Sequence, residues 1–362
     1  MRRCGPCVTA WLVCVGVLPG PVGSAGGQAA TAPAATAYKP QPGSYRVLRI
    51  GRFELEDAAR GGKLEVMIRA PRLAPADGPA PLVVFSHGAG GSSDAFPELC
   101  ERWASHGYVV INPTHGDSIR LRRERGERFD PSDASLPQQV VGRVNLPGRC
   151  ADVRLILDSL AAIEARIRQA AGRAHGDPAP FRIDRGRIAL AGHSAGAMTT
   201  QALAGAKLYA RRGGVRAWSS PEPRIRAFIV ISGQGLGRPA FREDSWSDIR
   251  APLLVIAGSA DRSPVSGETP KGRRHPFEYA PPGDKHLVYI DGATHGSYAG
   301  KSAMRLLGEK PPANIDYIAD VTAFATLAFL DAHVRGAAAG RDYLASDVLE
   351  RHPGGRTEYK RK

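Results

Sequence analysis

Residues 192–196 read Gly-His-Ser-Ala-Gly and place a serine between closely spaced glycines. The apolar run 187–191 before them predicts a short buried strand, and the small side chains of 197–204 after them predict a helix. A G-x-S-x-G segment on a strand–turn–helix junction is typical of a nucleophile elbow, whose strained turn exposes the serine hydroxyl. The glycines keep side chains out of that crowded turn. We therefore predict that Ser194 is a nucleophile, with a chance match in a loop as the alternative.

A serine hydroxyl needs a base within hydrogen-bond reach and an acid that orients the base. Downstream of a nucleophile elbow the acid normally comes first and the histidine second. Asp261 follows one predicted strand and His295 follows the next, so both lie where strand ends meet loops. The sequence thus predicts a catalytic triad of Ser194, Asp261 and His295. Asp291 is the alternative acid, although its Asp-Gly pair at a strand end has an ordinary explanation as a turn.

Three other histidines are predicted to be structural. His193 lies inside the elbow and should point away from the site, His286 starts a strand, and His333 lies in the last predicted helix.

The tetrahedral intermediate of such chemistry needs N–H donors aimed at its oxyanion. One donor is expected from Ala195, directly after the serine. The loop after the third strand reads His-Gly-Ala-Gly-Gly over residues 87–91, and its glycines allow the backbone to approach a ligand closely. We predict Ala89 as the second donor, with a plain glycine turn as the alternative.

Strands that alternate with helices predict an α/β fold, with a mostly parallel sheet and helices on both of its faces. Segments 45–54 and 64–69 alternate apolar and polar residues and predict an antiparallel pair at a sheet edge. The insertion 233–250 is too short for a large lid. The predicted buried strands are 81–86, 108–112, 187–191, 225–232, 252–257 and 286–290, and helix faces are predicted at 153–167 and 318–328.

Residues 114–147, which we call the polar excursion, are dense in charge and lack periodicity. Long loops of this kind often carry binding residues. The polar excursion is expected either to border the substrate cleft or to be a solvated surface. Its arginines would then give the rim a positive face: Arg120, Arg122, Arg123, Arg125 and Arg128.

The chain has 362 residues, 43% hydrophobic and 23% charged, which is ordinary globular composition. Its net charge of +14 comes without any recognisable nucleic-acid motif, so no nucleic-acid partner is expected. Residues 1–25 predict a signal peptide, cleaved after about Ala25 or later near Ala37, because two arginines precede an apolar stretch too short to span a bilayer. Residues 26–43 then predict a flexible leader, 44–336 the catalytic domain, and 337–362 a polar basic C-terminal tail.

Removal of the signal peptide leaves two cysteines, Cys100 and Cys150. An exported protein, secreted or periplasmic, permits a disulfide between them, and buried free thiols are the alternative. No integral membrane anchor is expected, and the oligomeric state is not predicted.

Residues 85–91, 105–110 and 192–196, which read FSHGAGG, SHGYVV and GHSAG, together resemble segments of the α/β-hydrolases. They are most similar to the branch that holds dienelactone-hydrolase-like proteins, platelet-activating-factor acetylhydrolases and bacterial polyester hydrolases. The resemblance spans roughly residues 64–334. It implies an α/β-hydrolase fold, the triad and oxyanion donors named above, and hydrolysis of carboxylic esters without a metal or organic cofactor. Dienelactone hydrolases use a cysteine nucleophile where this chain has Ser194.

The leading hypothesis is therefore a secreted serine esterase or lipase that acts on small or polymeric carboxylic esters. A serine peptidase or amidase on the same fold is the first alternative, because His295 can also protonate an amine leaving group. A non-catalytic binding protein on the same scaffold is the second. Such proteins usually lack a triad residue, and none is missing from this sequence.

Overall fold

The computed structural model describes residues 42–130, 132–175, 181–209, 217–237, 241–263, 265, 267–306 and 310–362. The predicted signal peptide and most of the predicted leader lie outside these residues. The strands of the described part are β1 (Val47–Asp57), β2 (Gly62–Pro71), β3 (Ala80–Ser86), β4 (Val109–Pro113), β5 (Ile183–His193), β6 (Leu208–Tyr209), β7 (Ala217–Trp218), β8 (Ala227–Ile231), β9 (Leu253–Gly258), β10 (Lys285–Ile290) and β11 (Thr357–Arg361).

The helices alternate with most of these strands. They are α1 (Pro97–Ser105), α2 (Ile119–Glu124), α3 (Leu136–Gly142), α4 (Leu146–Asp158), α5 (Leu160–His175), α6 (Ala195–Leu203), α7 (His275–Glu278), α8 (Lys301–Leu306), α9 (Ile315–Leu330), α10 (Ala338–Ala345) and α11 (Val348–Arg351), with a π-helical turn at Asp331–Arg335 directly after α9.

One large sheet has the strand order β1-β2-β4-β3-β5-β8-β9-β10-β11. Within this order, the neighbouring strands β4, β3, β5, β8, β9 and β10 run parallel to one another. Antiparallel strands flank them at both edges. The predicted α/β-hydrolase fold, with its mostly parallel sheet and its antiparallel pair β1–β2, is therefore confirmed.

Helices cover both faces of the sheet because its central strands are apolar on both sides. On β3, Leu82 and Val84 pack with α4, α5 and α6, whereas Val83 and Phe85 pack on the opposite face with α1 and α9. Cys150 lies in the first of these cores and Cys100 in the second, and both are buried free thiols. The sheet thus separates the two cysteines, and the possible disulfide between them is not formed.

The C-terminal residues 337–362 differ from the predicted tail. They form α10 and α11, and β11 then pairs antiparallel with β10 along the register His286↔Arg361 to Ile290↔Thr357. The boundary at residue 336 is corrected accordingly, since the sheet continues beyond it. An edge strand buries little of its surface and can therefore have a polar sequence, here Thr-Glu-Tyr-Lys-Arg. The apolar pattern that predicts a strand is absent from it.

Two helix predictions also change. The helix face at 153–167 belongs to two helices, α4 and α5, which meet at Ser159. The polar excursion contains α2 and α3, of six and seven residues, which are too short to show helical periodicity. No helix of the described residues is long and apolar enough to cross a membrane.

Candidate active site

Ser194 lies on the sharp turn between β5 and α6, at φ 57° and ψ −115°. A positive φ is strained for any residue that carries a Cβ, so the surrounding structure must hold it in place. Part of that hold is the backbone N–H of Ser194, which donates to the carbonyl of Ile231 on the neighbouring β8 at 3.1 Å. The sequence-predicted elbow is thus present as a strand–turn–helix junction.

Both glycines of the elbow are required by close backbone approaches. A Cβ at Gly192 would lie 2.2 Å from the carbonyl oxygen of Gly196, and a Cβ at Gly196 would lie 1.9 Å from the carbonyl oxygen of Ser86. No real Cβ makes contacts this short, and backbone cannot move aside as a flexible side chain can. The glycines therefore let α6 start directly against the end of β3.

The loops after β9 and β10 bring two more predicted residues to Ser194. The Oγ of Ser194 lies 3.0 Å from Nε2 of His295, and Nδ1 of His295 lies 3.2 Å from Oδ1 of Asp261. The Nδ1 proton of His295 is shared between Asp261 Oδ1 and the nearer Ser232 Oγ, at 2.7 Å, so Nε2 is free to accept the serine proton. Asp291 takes no part in this chain, because its carboxylate accepts a hydrogen bond from Ser259 at 2.6 Å.

Asp261 is fully buried and is held by three residues that the sequence did not reveal. Ser232 donates to its Oδ1 at 2.9 Å, Tyr298 donates to its Oδ2 at 3.0 Å, and Nε of the buried Arg273 lies 3.2 Å from Oδ1. Burial raises the pKa of Asp261, but the hydrogen bond from His295 and the charge of Arg273 outweigh burial and lower the pKa to about 2. The carboxylate is therefore ionised throughout the neutral range.

Arg273 also fastens the strand end beside the acid. Its NH1 donates to the carbonyls of Ser232 and Gly233 at 3.1 and 3.0 Å. The backbone of Ser232 has a positive φ of 51°. Its Oγ lies 2.7 Å from Nδ1 of His295. Ser232 directly follows β8, so the rule that sites gather at strand ends could have found it, whereas no sequence signal marked Arg273.

His193 has the contacts expected of a structural residue. Its Nε2 donates to the backbone carbonyl of His295 at 2.7 Å, and its ring lies between those of Phe96 and His295 at 5.0 and 4.8 Å. Burial lowers the pKa of His193 to about 3, so its ring is neutral near pH 7. It fixes the loop on which His295 lies.

Residues 87–91, which we call the oxyanion loop, lie next to the elbow. A Cβ at Gly88 would lie 3.5 Å from the Cβ of Ser194. Within the described residues, no acceptor is hydrogen-bonded to the backbone N–H groups of Ala89 and Ala195. An oxyanion hole requires uncommitted N–H donors, so Ala89 and Ala195 stay the predicted donors.

A buried ion pair holds the oxyanion loop from behind. Arg149 on α4 donates to the carbonyls of His87 and Gly88 at 2.6 and 3.1 Å, and to both carboxylate oxygens of Asp117 at 2.9 and 2.8 Å. Asp117 in turn accepts the N–H of Gly90 at 3.1 Å. Burial raises the pKa of Asp117, but its hydrogen bond with Arg149 lowers that pKa to about 2. Both carbonyls are thereby turned towards Arg149.

A second serine–histidine–aspartate chain lies beneath this loop. Ser86 Oγ donates to Nε2 of His115 at 2.9 Å, and Nδ1 of His115 donates to Asp152 at 2.7 Å. The backbone N–H of His115 also donates to Nε2 of His87 at 3.0 Å. Ser86 and His115 have no exposed surface, so this chain supports the fold and offers no access to a substrate.

The polar excursion packs against the oxyanion loop. A Cβ at Gly90 would lie 2.6 Å from Val140 and 3.0 Å from Ile119, and the N–H of Ile119 donates to the carbonyl of Gly90 at 3.0 Å. The excursion therefore borders the candidate site. Part of its positive charge is paired, since Arg120 binds Glu65 and Glu124, and Arg122 binds Glu127.

Replacing Arg149 with lysine should lower kcat by about 10²–10³ while KM changes little. A lysine keeps the charge but cannot hold two carbonyls and a carboxylate together, so the oxyanion loop, with the predicted donor Ala89, should shift; loss of one oxyanion donor costs about this much. Steady-state kinetics on an activated ester measures the two constants. Arg154→Lys, at a half-buried position of the same helix that pairs with Glu222 away from the oxyanion loop, is the matched control. Equal kcat values in the two variants would show that Arg149 does not position the loop.

The comparisons with known proteins agree with this architecture. The sequence model of the family described as "Platelet-activating factor acetylhydrolase, isoform II" matches residues 58–121, a stretch that runs from the end of β1 through the oxyanion loop to α2. No curated protein matches the chain. This match over part of the chain and the mostly parallel sheet together support an α/β-hydrolase fold and are consistent with a hydrolase, and the matched stretch is similar to the platelet-activating factor acetylhydrolases.

Proposed function

We propose that the chain is a secreted serine hydrolase that cleaves carboxylic esters through an acyl-enzyme on Ser194. The observation that carries this proposal is the continuous hydrogen-bond chain from Ser194 through His295 to the buried Asp261, at 3.0 and 3.2 Å. A buried carboxylate, an imidazole and a half-buried hydroxyl in this order form the arrangement that activates a serine for acyl transfer.

In the first step, Ser194 Oγ forms a bond to the carbonyl carbon of the ester while its proton moves to Nε2 of His295. The imidazolium that forms is stabilised by the carboxylate of Asp261, which stays ionised and keeps the ring oriented. The developing oxyanion accepts hydrogen bonds from the N–H groups of Ala89 and Ala195. His295 then gives its proton to the alkoxide leaving group as the ester C–O bond breaks.

In the second step, water takes the place of the alcohol. His295 removes a proton from the water as its oxygen attacks the acyl carbon, and returns that proton to Ser194 Oγ as the acid leaves. The cycle consumes one water and one ester, releases one alcohol and one acid, and needs no other reactant.

A panel of p-nitrophenyl esters of rising acyl length, tested beside the matching p-nitroanilides, examines the proposal. The matching family model is that of an acetylhydrolase, so the panel begins with the acetate. We expect ester turnover at least a hundredfold above that of the anilides. Anilide turnover equal to ester turnover would favour the peptidase or amidase alternative. No turnover of either class by the folded protein would favour the non-catalytic scaffold.

Secretion is part of the proposal and rests on the sequence of residues 1–25 alone. The exported protein, purified for the panel, should have an intact mass that lacks about the first 25 residues, the length of a signal peptide. A full-length product in the cytoplasm would contradict the predicted export without touching the ester chemistry.

A further inference from the structure

A cluster of two histidines and an aspartate lies at the start of β10, away from the candidate active site. One ring nitrogen each of His286 and His333 and one carboxylate oxygen of Asp284 lie within 4.8 Å of one another. We propose that this cluster binds a divalent transition-metal ion of the zinc class, which clips the end of α9 to β10. His295 follows the other end of β10, a strand of six residues, so about 20 Å separates the two sites.

The hydrogen bonds of Tyr359 determine which nitrogen of His286 is available. The Tyr359 hydroxyl donates to the carbonyl of Leu344 at 2.9 Å, so towards Nδ1 of His286, at 2.7 Å, it acts as the acceptor. Nδ1 of His286 therefore carries the ring proton, and Nε2 holds a free lone pair. An imidazole whose second nitrogen donates to a neighbouring oxygen is the usual arrangement of a metal-bound histidine.

In the described part of the chain, the ring nitrogens proposed to bind the ion are buried and lack hydrogen-bond partners. His286 is 6% exposed, and within the described residues its Nε2 is buried and has no hydrogen-bond partner. Nε2 of His333 is in the same condition in this part of the chain. Two buried, unsatisfied ring nitrogens side by side are unfavourable unless a ligand fills the space between them.

The relative position of the rings fits one ion between them. Their centroids are 5.5 Å apart with an interplanar angle of 51°. Two imidazoles on a tetrahedral zinc ion, with Zn–N distances of about 2.0–2.1 Å, place their ring centres about 5 Å apart. Asp284 is exposed, so its side chain can move the remaining distance to the ion and leave one position for water.

The donor set selects the class of ion. Two imidazoles and one carboxylate suit zinc and its transition-metal neighbours, whereas calcium and magnesium require mostly oxygen ligands. The basic side chains nearby are turned to other partners. Lys285 donates to the carbonyls of Arg250 and Gly283, and Arg361 donates to the carbonyl of Leu344. Asp284 thus brings the negative charge to the cluster.

A bound ion would join three separate elements. Asp284 directly precedes β10 and His286 lies in it, His333 lies in the π-helical turn after α9, and the supporting Tyr359 lies in β11. The proposed role is therefore structural, and it is independent of the ester chemistry proposed above.

Calorimetric titration of the chelator-treated, dialysed protein with Zn²⁺ tests the proposal, with the visible absorption of bound Co²⁺ and the melting temperature as further readouts. We expect one more Zn²⁺ bound per chain in wild type than in His333→Ala, and a Zn²⁺-dependent rise in melting temperature that His333→Ala lacks. Tyr359→Phe should weaken binding about 10–100-fold, the usual effect of removing the partner of a metal-bound histidine. Counting sites separates this ion from any Zn²⁺ held at His295.

Two variants keep the test decisive if His333→Ala folds poorly. Asp284→Asn removes a ligand charge at an exposed position, and asparagine tolerates the φ of 50° found there. It should leave the metal-free melting temperature unchanged and still weaken Zn²⁺ binding. His352→Ala, whose ring packs on Tyr317 and Phe324, is the matched control and should bind Zn²⁺ as wild type does. Equal stoichiometry and affinity in wild type, His333→Ala and Asp284→Asn would overturn the proposal.

Discussion

Ser194→Ala should reduce ester turnover to background in a chain that stays folded. The hydroxyl is the only group of Ser194 that faces Nε2 of His295, at 3.0 Å, and removing it leaves the base with nothing to activate on the protein. In a well-studied serine protease, loss of the nucleophile costs on the order of a millionfold in kcat. Turnover on the best ester of the panel measures the effect, and circular dichroism verifies the fold.

Ser86→Ala is the matched control for this experiment, because Ser86 also donates to a histidine that is bound to an aspartate. We expect it to lower stability by about 1–3 kcal/mol, since the Nε2 of the buried His115 loses its donor, and to keep kcat within about tenfold of wild type. Activity of Ser194→Ala above about one hundredth of wild type would refute Ser194 as the nucleophile, given the size of effect cited above.

Asp261→Asn should lower kcat by about ten-thousandfold, by analogy with the same substitution in a serine protease. An asparagine amide can donate to Nδ1 of His295, which favours the tautomer that presents a proton to Ser194 instead of accepting one. The variant also leaves the buried guanidinium of Arg273 without its carboxylate, and the loss of one partner from a buried ion pair costs about 3–5 kcal/mol of stability. Kinetics must therefore be measured well below the melting temperature.

Asp291→Asn provides the comparison at the other candidate acid. Asp291 lies at the turn after β10, and its carboxylate accepts a hydrogen bond from Ser259 rather than from His295. We therefore expect nearly wild-type kcat and at most a small loss of stability. If Asp291→Asn is the crippling change and Asp261→Asn is mild, the acid of the triad is misassigned.

Much of the fold and of the candidate site could be predicted from the sequence because both depend on strong local sequence patterns. The buried strands are continuous apolar runs bounded by glycine or proline, and the elbow glycines are enforced by contacts of 1.9 and 2.2 Å that no other residue accommodates. The order of Ser194, Asp261 and His295 follows the order of the strands. These features can be predicted without knowing which distant segments of the chain contact each other.

The parts that sequence did not reveal depend on contacts between distant segments. Arg273 lies in a short 3₁₀ turn before α7, and nothing in its neighbourhood shows that it faces Asp261. The pairing of Arg149 with Asp117 joins α4 to the polar excursion, which reads as a charged surface until its burial is known. β11 was missed for a related reason, since an exposed edge strand has little apolar pattern to display.

The buried chain of Ser86, His115 and Asp152 has a consequence for how the nucleophile is identified by chemical labelling. Among the described residues, Ser86–His115–Asp152 and Ser194–His295–Asp261 are two serine–histidine–aspartate sets with similar hydrogen-bond lengths. A fluorophosphonate reagent distinguishes them because it must reach the oxygen it phosphorylates, and Ser86 is wholly enclosed. Reagent uptake by the native enzyme is thus expected to stop at one equivalent, with a modified peptide that contains Ser194, whereas the enclosed serine stays unmodified however well its histidine is placed.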